Sequence, residues 1–419
     1  MGYLILLLYS LLAPVIAVFY ALFFLLSPRR ALMKSLGGEL GERLDISVSP
    51  AEGRPVWLHA ASLGEVKAVS KLAPELAAAL KAPLLITVST SSGRTAAARL
   101  TPQARLAPLD FYPLVARFIK LHRPRLLVVI ETEIWPAMFI AASKAGVPVY
   151  LANARISPGT LALYRVLGPF SRLVFSGVKQ VLAQSEADAL RFRSIPGLEE
   201  KVTVTGNLKH DQLGASGAGA EKVRQFLKTA GWEGLPLFTA GSTHPAEEPL
   251  LAEAYLEAKK HIPGLKLALV PRHPERLAET QAALRGRCVE YTKWTSGETA
   301  RDCIVVDAMG LLQAFYAVSA ACFVGGTLDD TGGHNLLEPA LFSKPVLFGP
   351  NYRNARAAAE ALLKEKGGFL VGTAPELAQK LSELLSDPAK LQAAGDNADK
   401  ALSSLKGATA RTLAALIAS

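Results

Sequence analysis

From residue 56 onward the chain repeats one pattern twice: a short, near-continuous apolar run, then a longer segment whose apolar residues recur near every 3.6 positions. Runs of this kind belong to strands covered on both faces. Their alternation with helical segments implies parallel strands joined by crossover helices. In the first series the expected strands are 56–59, 84–88, 126–130, 147–151, 181–183 and 202–205, with crossover helices over 66–81 and 137–145. Between 211 and 234 the texture changes to Leu-Gly-Ala-Ser-Gly-Ala-Gly-Ala and then a short charged helix ending at Gly231, which is linker composition. A second series follows, with strands expected at 237–239, 265–270, 288–291, 304–306, 321–324 and 345–348. The fold class is therefore α/β, with two Rossmann-like doubly wound domains. The first is expected over 29–210, a linker over 211–234 and the second domain over 235–419, a length sufficient for two separate cores. No repeat at solenoid or propeller periods is present.

Residues 1–28 contain no charged side chain, and they run through Leu, Ile, Val, Phe, Tyr and Ala with a single interior proline, Pro14. A helix of about 25 such residues rises about 37 Å, enough to cross a hydrocarbon layer of about 30 Å. The basic start and small-residue cleavage site of a secretory signal are missing, so an uncleaved N-terminal anchor is expected. Arg29, Arg30 and Lys34 follow the run and nothing basic precedes it, which places the remainder on the cytoplasmic side. The net charge of +10 fits an anionic partner such as a phosphorylated substrate or an acidic membrane surface. Cys288, Cys303 and Cys322 form no Cys-x-x-Cys pair and are expected to be buried small hydrophobes. The seven histidines show no zinc-ligand spacing.

In an open parallel sheet, ligands bind beyond the carboxyl ends of the strands. Four strand-to-helix loops carry chemistry-bearing residues. Trp57-Leu-His-Ala-Ala-Ser-Leu-Gly-Glu65 places a glutamate in a first helical turn, where it either serves a reaction or only complements the helix dipole. Glu131-Thr-Glu133-Ile-Trp-Pro136 ends an apolar strand with two carboxylates that would share a side if the strand continued, close enough to raise one pKa. Gly206-Asn-Leu-Lys209 puts a lysine on a glycine loop at the domain boundary, a setting suited to phosphate or carboxylate. The richest loop is Gly325-Gly326-Thr-Leu-Asp-Asp-Thr-Gly-Gly333-His-Asn335-Leu336-Leu337-Glu338. Its glycines let backbone N–H groups point at an anion, a following helix end would add positive potential, and Glu338 is placed to accept from ribose hydroxyls. Neither a P-loop nor a Gly-x-Gly-x-x-Gly fingerprint is present, which argues against ATPase and dehydrogenase readings. Val270-Pro271-Arg272-His273-Pro274 and Gly241-Ser-Thr-His244 flank the same crevice.

Taken in order, His-Ala-Ala-Ser-Leu-Gly-Glu, Glu-Thr-Glu-Ile-Trp-Pro, Ala-Asn-Ala-Arg-Ile-Ser at 152–157, Gly-Asn-Leu-Lys, Pro-Arg-His-Pro-Glu-Arg and the last glycine loop resemble the bacterial Kdo transferases. These are membrane-anchored enzymes that add 3-deoxy-D-manno-octulosonic acid to the lipid A precursor. The resemblance implies a GT-B fold with two domains facing a cleft, and inversion at the sugar with CMP-Kdo as donor and no metal or other cofactor. It also implies a phosphorylated lipid A precursor, lipid IVA, as acceptor, and a place in lipopolysaccharide core biosynthesis on the cytoplasmic face of the bacterial inner membrane. Nucleic acid is not an expected partner. By the same resemblance Glu65 is the general base, and Glu131 and Lys209 support the transition state. Pro271, Arg272, Met309, Gly310, Leu311 and Asn335 to Glu338 then bind the CMP-sugar, and Gly325, Gly326 and Gly333 of the glycine loop read above are expected to join them. The family usually has an acidic residue where this chain has Leu311. Two other readings stay open on sequence: a membrane-associated GT-B transferase that uses a UDP-sugar, and a tethered nucleotide- or lipid-binding protein without turnover.

Overall fold

The computed structural model describes residues 9, 39–44, 49–216, 219–296 and 301–418. The expected anchor over 1–28 lies, but for Tyr9, outside the described residues. Among the described residues no helix is long and apolar enough to cross a membrane.

The chain forms two compact units, 1–212 with 407–419, and 213–406. The first holds a seven-stranded parallel sheet of β1 (Val56–His59), β2 (Leu84–Val88), β3 (Ala104–Leu106), β4 (Leu126–Ile130), β5 (Val149–Ala154), β6 (Val178–Ala183) and β7 (Val202–Val204), in the order β3-β2-β1-β4-β5-β6-β7. The direction of winding reverses between β1 and β4, whose residues pair Val56 with Leu126 through His59 with Val129. β1, β2, β4 and β5 are buried along their whole length, because helices cover both faces. Trp57, Leu127, Phe139 and Phe175 fill one face, and Leu58, Ile86, Val128 and Ile130 fill the other.

The second unit holds β8 (Leu237–Thr243), β9 (Lys266–Pro271), β10 (Tyr291–Lys293), β11 (Cys303–Val305), β12 (Ala321–Val324), β13 (Val346–Phe348) and β14 (Gly368–Leu370). The order is β10-β11-β9-β8-β12-β13-β14, all parallel, and its winding reverses between β8 and β12. The loops after β1, β4, β8 and β12 therefore leave the sheets where an open parallel fold leaves room for a ligand.

The structure departs from the sequence expectation at several points. A single helix over 66–81 is instead two, Leu63–Ala68 and Leu72–Ala79. The break between them is held by Gln212, whose amide donates to the Ala68 carbonyl at 3.3 Å and whose Oε1 accepts from Ser70 Oγ at 3.1 Å. The short charged helix expected within 211–234 is present as Ala220–Thr229, but it is no free linker segment: it buries Val223 beside Trp232 and Phe315 in the second unit. Cys303 and Cys322 are buried, but Cys288 is exposed because β10 begins only at Tyr291.

The largest departure is at the C-terminus, where the helix Ala408–Ile417 belongs to the first unit. Ala408 and Leu416 are buried in that unit's core beside Leu208, and one fully buried leucine contributes about 2 kcal/mol relative to exposure. Asp211 fastens the helix start: Oδ1 accepts from Gly407 N–H at 2.7 Å and Oδ2 from Thr409 N–H at 2.6 Å. Burial alone would raise the Asp211 pKa, but the hydrogen bonds from Thr409 and Gly407 outweigh it and hold the carboxyl below its ordinary value. A lowered pKa stabilises fully above the unfolded value of about 3.9 and loses that contribution as pH falls through the folded value. We expect Asp211→Asn, which turns an amide N–H toward one of these donors, to weaken attachment of the helix by about 1–2 kcal/mol. Hydrogen exchange checks this: amides of 407–417 should exchange faster while those of β1 stay protected.

Candidate active site

In the first unit the loop after β1 runs Ala60-Ala61-Ser62 into the helix Leu63–Ala68. Ser62 is the N-cap, its Oγ accepting from Glu65 N–H at 3.4 Å. Ser62 Oγ donates to Glu65 Oε1 at 2.9 Å, and Ala61 N–H donates to Glu65 Oε2 at 2.8 Å. A glutamate that only complements a helix dipole is exposed and easily ionised. Glu65 is 8% exposed, and burial raises its pKa. Its two hydrogen bonds pull the other way, while the nearby charges of Glu131 and Glu133 add to the rise.

The loop after β4 starts at Glu131, whose φ of +58° lies in the left-handed region. A non-glycine residue there is uncommon and strained, a feature that concentrates at functional sites. The turn ends the strand at Ile130, so the expected alternation does not reach Glu133 and the two carboxylates take separate partners. Glu133 Oε2 accepts from the Trp135 indole at 3.0 Å. Glu131 is 6% exposed and lies between two cations, with Lys209 Nζ at 2.6 Å from Oε1 and Arg155 Nη2 at 3.0 Å from Oε2. Lys209 is carried by the short helix Leu208–Asp211, capped by Asn207 and anchored by Leu208 N–H donating to Asn153 Oδ1 at 2.9 Å. Glu65, Glu131 and Lys209 thus gather at the carboxyl ends of β1, β4 and β7. Arg155 joins them, a residue inside the Ala-Asn-Ala-Arg-Ile-Ser motif to which sequence reading gave no role. Its signal was position alone, one residue past the end of β5.

In the second unit Arg272 directly follows Pro271 at the end of β9, exposed, with its N–H donating to Thr243 O at 3.0 Å. Met309 is exposed and Gly310 has φ +82°. Leu311 begins the turn into the helix Leu312–Val318 and packs against an apolar cluster with Phe315, so only its backbone is available where the family has an acidic side chain. Asn335 is exposed, whereas Leu336 and Leu337 are core residues that offer a ligand only backbone. Asn335 Nδ2 donates to Glu338 Oε1 at 3.3 Å, and burial raises the Glu338 pKa while the Asn335 bond and the Arg272 charge oppose it.

The glycine loop differs from expectation. The N–H groups of Gly326, Thr327 and Leu328 are not open to an external anion, because an internal one occupies them. The carboxylate of Glu247, fully buried, accepts from Gly326 and His244 N–H through Oε2 (2.8 and 3.0 Å) and from Thr327 and Leu328 N–H through Oε1 (3.0 and 2.9 Å). Gly325 N–H donates to Gly241 O at 2.9 Å, and a Cβ on Gly325 would meet Ser242 O at 2.3 Å, which explains the glycine. Nor does an α-helix follow: Glu338 precedes a one-turn 3-10 segment, Pro339–Phe342. Gly333 closes the loop by donating to Gly326 O at 2.6 Å. The loop is a rigid frame, and the cationic groups on its rim are side chains. Among the described residues no three His, Cys, Asp or Glu side chains are placed to share a metal ion.

Glu247→Gln removes one of two acceptor oxygens and brings an amide N–H against backbone donors. The expected cost is about 2–4 kcal/mol of stability, checked by chemical denaturation of the purified protein.

The family model for 3-deoxy-D-manno-octulosonic-acid transferase (kdotransferase) matches residues 38–212. The 3-deoxy-D-manno-octulosonic acid transferase of Bordetella pertussis is 32% identical over 377 residues, covering 86% of each chain. That of Haemophilus influenzae is 30% identical over 410 residues, covering 96% of this chain and 94% of the relative. Among solved structures, a glycosyltransferase from Rickettsia africae superposes with TM-score 0.58 at 14% identity, over 88% of this chain and 98% of that one. Such likeness concerns the fold, two parallel-sheet α/β units consistent with GT-B glycosyltransferases. With 30–32% of residues identical along most of both chains, the protein belongs to the 3-deoxy-D-manno-octulosonic acid (Kdo) transferase family, and it is a glycosyltransferase.

Proposed function

We propose that the chain transfers Kdo from CMP-Kdo to the phosphorylated lipid A precursor, lipid IVA, with inversion at the anomeric carbon. Glu65 takes the proton from the acceptor hydroxyl as it attacks, and burial suits it to the task by making the carboxylate a stronger base. This is the observation that carries the reading. Glu131 holds Lys209 and Arg155 by one carboxylate oxygen each, so both cations are in place before charge develops in the transition state. On the second unit Arg272, the backbone of 309–311 and the Asn335–Glu338 segment hold the CMP moiety. The reading routes no step through a metal. The uncharged run 1–28 anchors the protein in the bacterial inner membrane with both units on the cytoplasmic face, where the net charge of +10 favours anionic lipid.

The test incubates the full chain with CMP-Kdo and lipid IVA and follows product mass. Product is expected with CMP-Kdo and none with UDP-sugars; the opposite pattern assigns a different donor. Glu65→Gln should lower the rate at least about a hundredfold, and full activity in that variant removes the base assignment. Because the raised Glu65 pKa means ionisation only above its ordinary 4.5, the acid limb of the pH–rate profile should fall above that value. Lys209→Ala should lower the transfer rate about a hundredfold with little change in acceptor affinity, since its partner charge appears mainly in the transition state.

A further inference from the structure

Three histidines that the proposed reaction does not use converge at the switch point of the second sheet. His244 follows β8, His273 follows β9 and His334 follows β12. The Nε2 atoms of His244 and His334 are 2.8 Å apart, so one ring donates its proton to the other, and the rings stack at 5.1 Å between centroids. On its far side His244 Nδ1 lies 3.6 Å from Asp329 Oδ2, and His273 meets the His244 ring edge-on at 6.3 Å. His334 rests against Gly326, where even a Cβ would come within 3.0 Å of the ring, on the loop that Glu247 holds rigid. The next residue is Asn335, the start of the segment read above as binding CMP.

We propose that Asp329, His244 and His334 form a proton-carrying chain that takes up a proton as the donor phosphate binds beside Arg272 and passes it to the oxygen on which that phosphate departs. The proposal rests on the donor-site reading given above. The charged groups facing His334 account for its behaviour without ligand. Burial, then His244, Arg272 and His273, push its pKa down to about 4 against the single opposing charge of Asp329. The ring is neutral at rest, beside the fixed positive charge of Arg272. A bound phosphate reverses that balance and favours the imidazolium, the more so because Glu338 already lies beside Arg272.

In the transfer step the bond from the anomeric carbon to the phosphate oxygen breaks, with its electron pair on that oxygen. The His334 proton moves to the oxygen, leaving the ring neutral and CMP a monoanion. The acceptor hydroxyl loses its proton to Glu65 as the new carbon–oxygen bond forms, and Glu65 returns that proton to solvent.

The test titrates the full-length protein with CMP in buffers of different ionisation enthalpy and measures transfer as a function of pH. Wild type is expected to take up about half a proton or more per CMP at pH 6, and its rate should fall on the alkaline side as the bound-state imidazolium is lost. His334→Gln should abolish the uptake, flatten the alkaline limb and lower kcat about a hundredfold. His244→Gln, which interrupts the chain at its middle, should reduce the uptake if the first variant does not fold. CMP that binds wild type without proton uptake, or with the same uptake in both variants, overturns the proposal and leaves the donor site standing. Failure of wild type to bind CMP overturns the donor site and the proposal together.

Discussion

Carboxylates that accept backbone N–H groups hold the working loops of both units in shape. Loops at the carboxyl ends of parallel strands leave the ladder with donors that need partners, and an unmet buried donor costs on the order of 1–3 kcal/mol. Glu247 meets four of them at once and thereby ties the loop after β8 to the loop after β12. Asp211 meets two at the start of the C-terminal helix, and Asp110 meets Ala137 and Met138 N–H at the start of the helix Pro136–Lys144. Glu65 accepts from Ala61 in the same manner. What distinguishes Glu65 is its setting. It shares the strand ends with Glu131, Lys209 and Arg155, so the carboxylate that fixes the loop is also the one placed beside a cluster of paired charges.

The C-terminal helix has a bearing on the candidate site that its position in the chain conceals. It packs against the short helix that carries Lys209, with Ala408 and Leu208 in one core cluster. Asp211, two residues beyond Lys209, holds the helix start, and Arg411 Nε donates to Thr205 O at 2.9 Å on the other side of the same loop. Gly206 between them has φ +93°, and a Cβ there would come within 2.9 Å of Arg411. The lysine's ammonium is thus aimed at Glu131 by a brace drawn from the last residues of the chain.

The buried strands were legible because burial on both faces leaves an uninterrupted apolar run; β1, β2, β4 and β12 have the expected bounds. The edge strands β3 and β14 were not. Ala104–Leu106 and Gly368–Leu370 are three residues each, too short to rise above a loop, and the first carries Arg105 at its centre. The helix break at 69–71 was hidden because its cause, Gln212, is distant in sequence. The same limit applies at the sites. Glu65, Glu131 and Lys209 were readable from loop position, but the salt link from Arg155 to Glu131 joins two separate strands. The glycine loop looked like an anion cradle because glycine-rich turns do expose N–H groups. Nothing in the spacing told that Glu247, some eighty residues earlier, is the anion that fills it.

Burial acts on both proposed proton-handling groups in the same direction, toward the neutral form. It raises the carboxylic acid at Glu65 and lowers the imidazole at His334. Neutralisation by burial makes a carboxylate more basic and an imidazolium more acidic, which are the properties a base for the acceptor and an acid for the leaving group require. Each group then depends on its neighbours to reach the charged form in which it acts. Hydrogen bonds from Ser62 and Ala61 favour the Glu65 carboxylate without any ligand. His334 has only Asp329 opposing its burial and the Arg272 charge, and gains a stronger counter-charge when an anion arrives. In the proposed reaction the proton on His334 is therefore tied to occupancy of the donor site, whereas the base on Glu65 is ready beforehand.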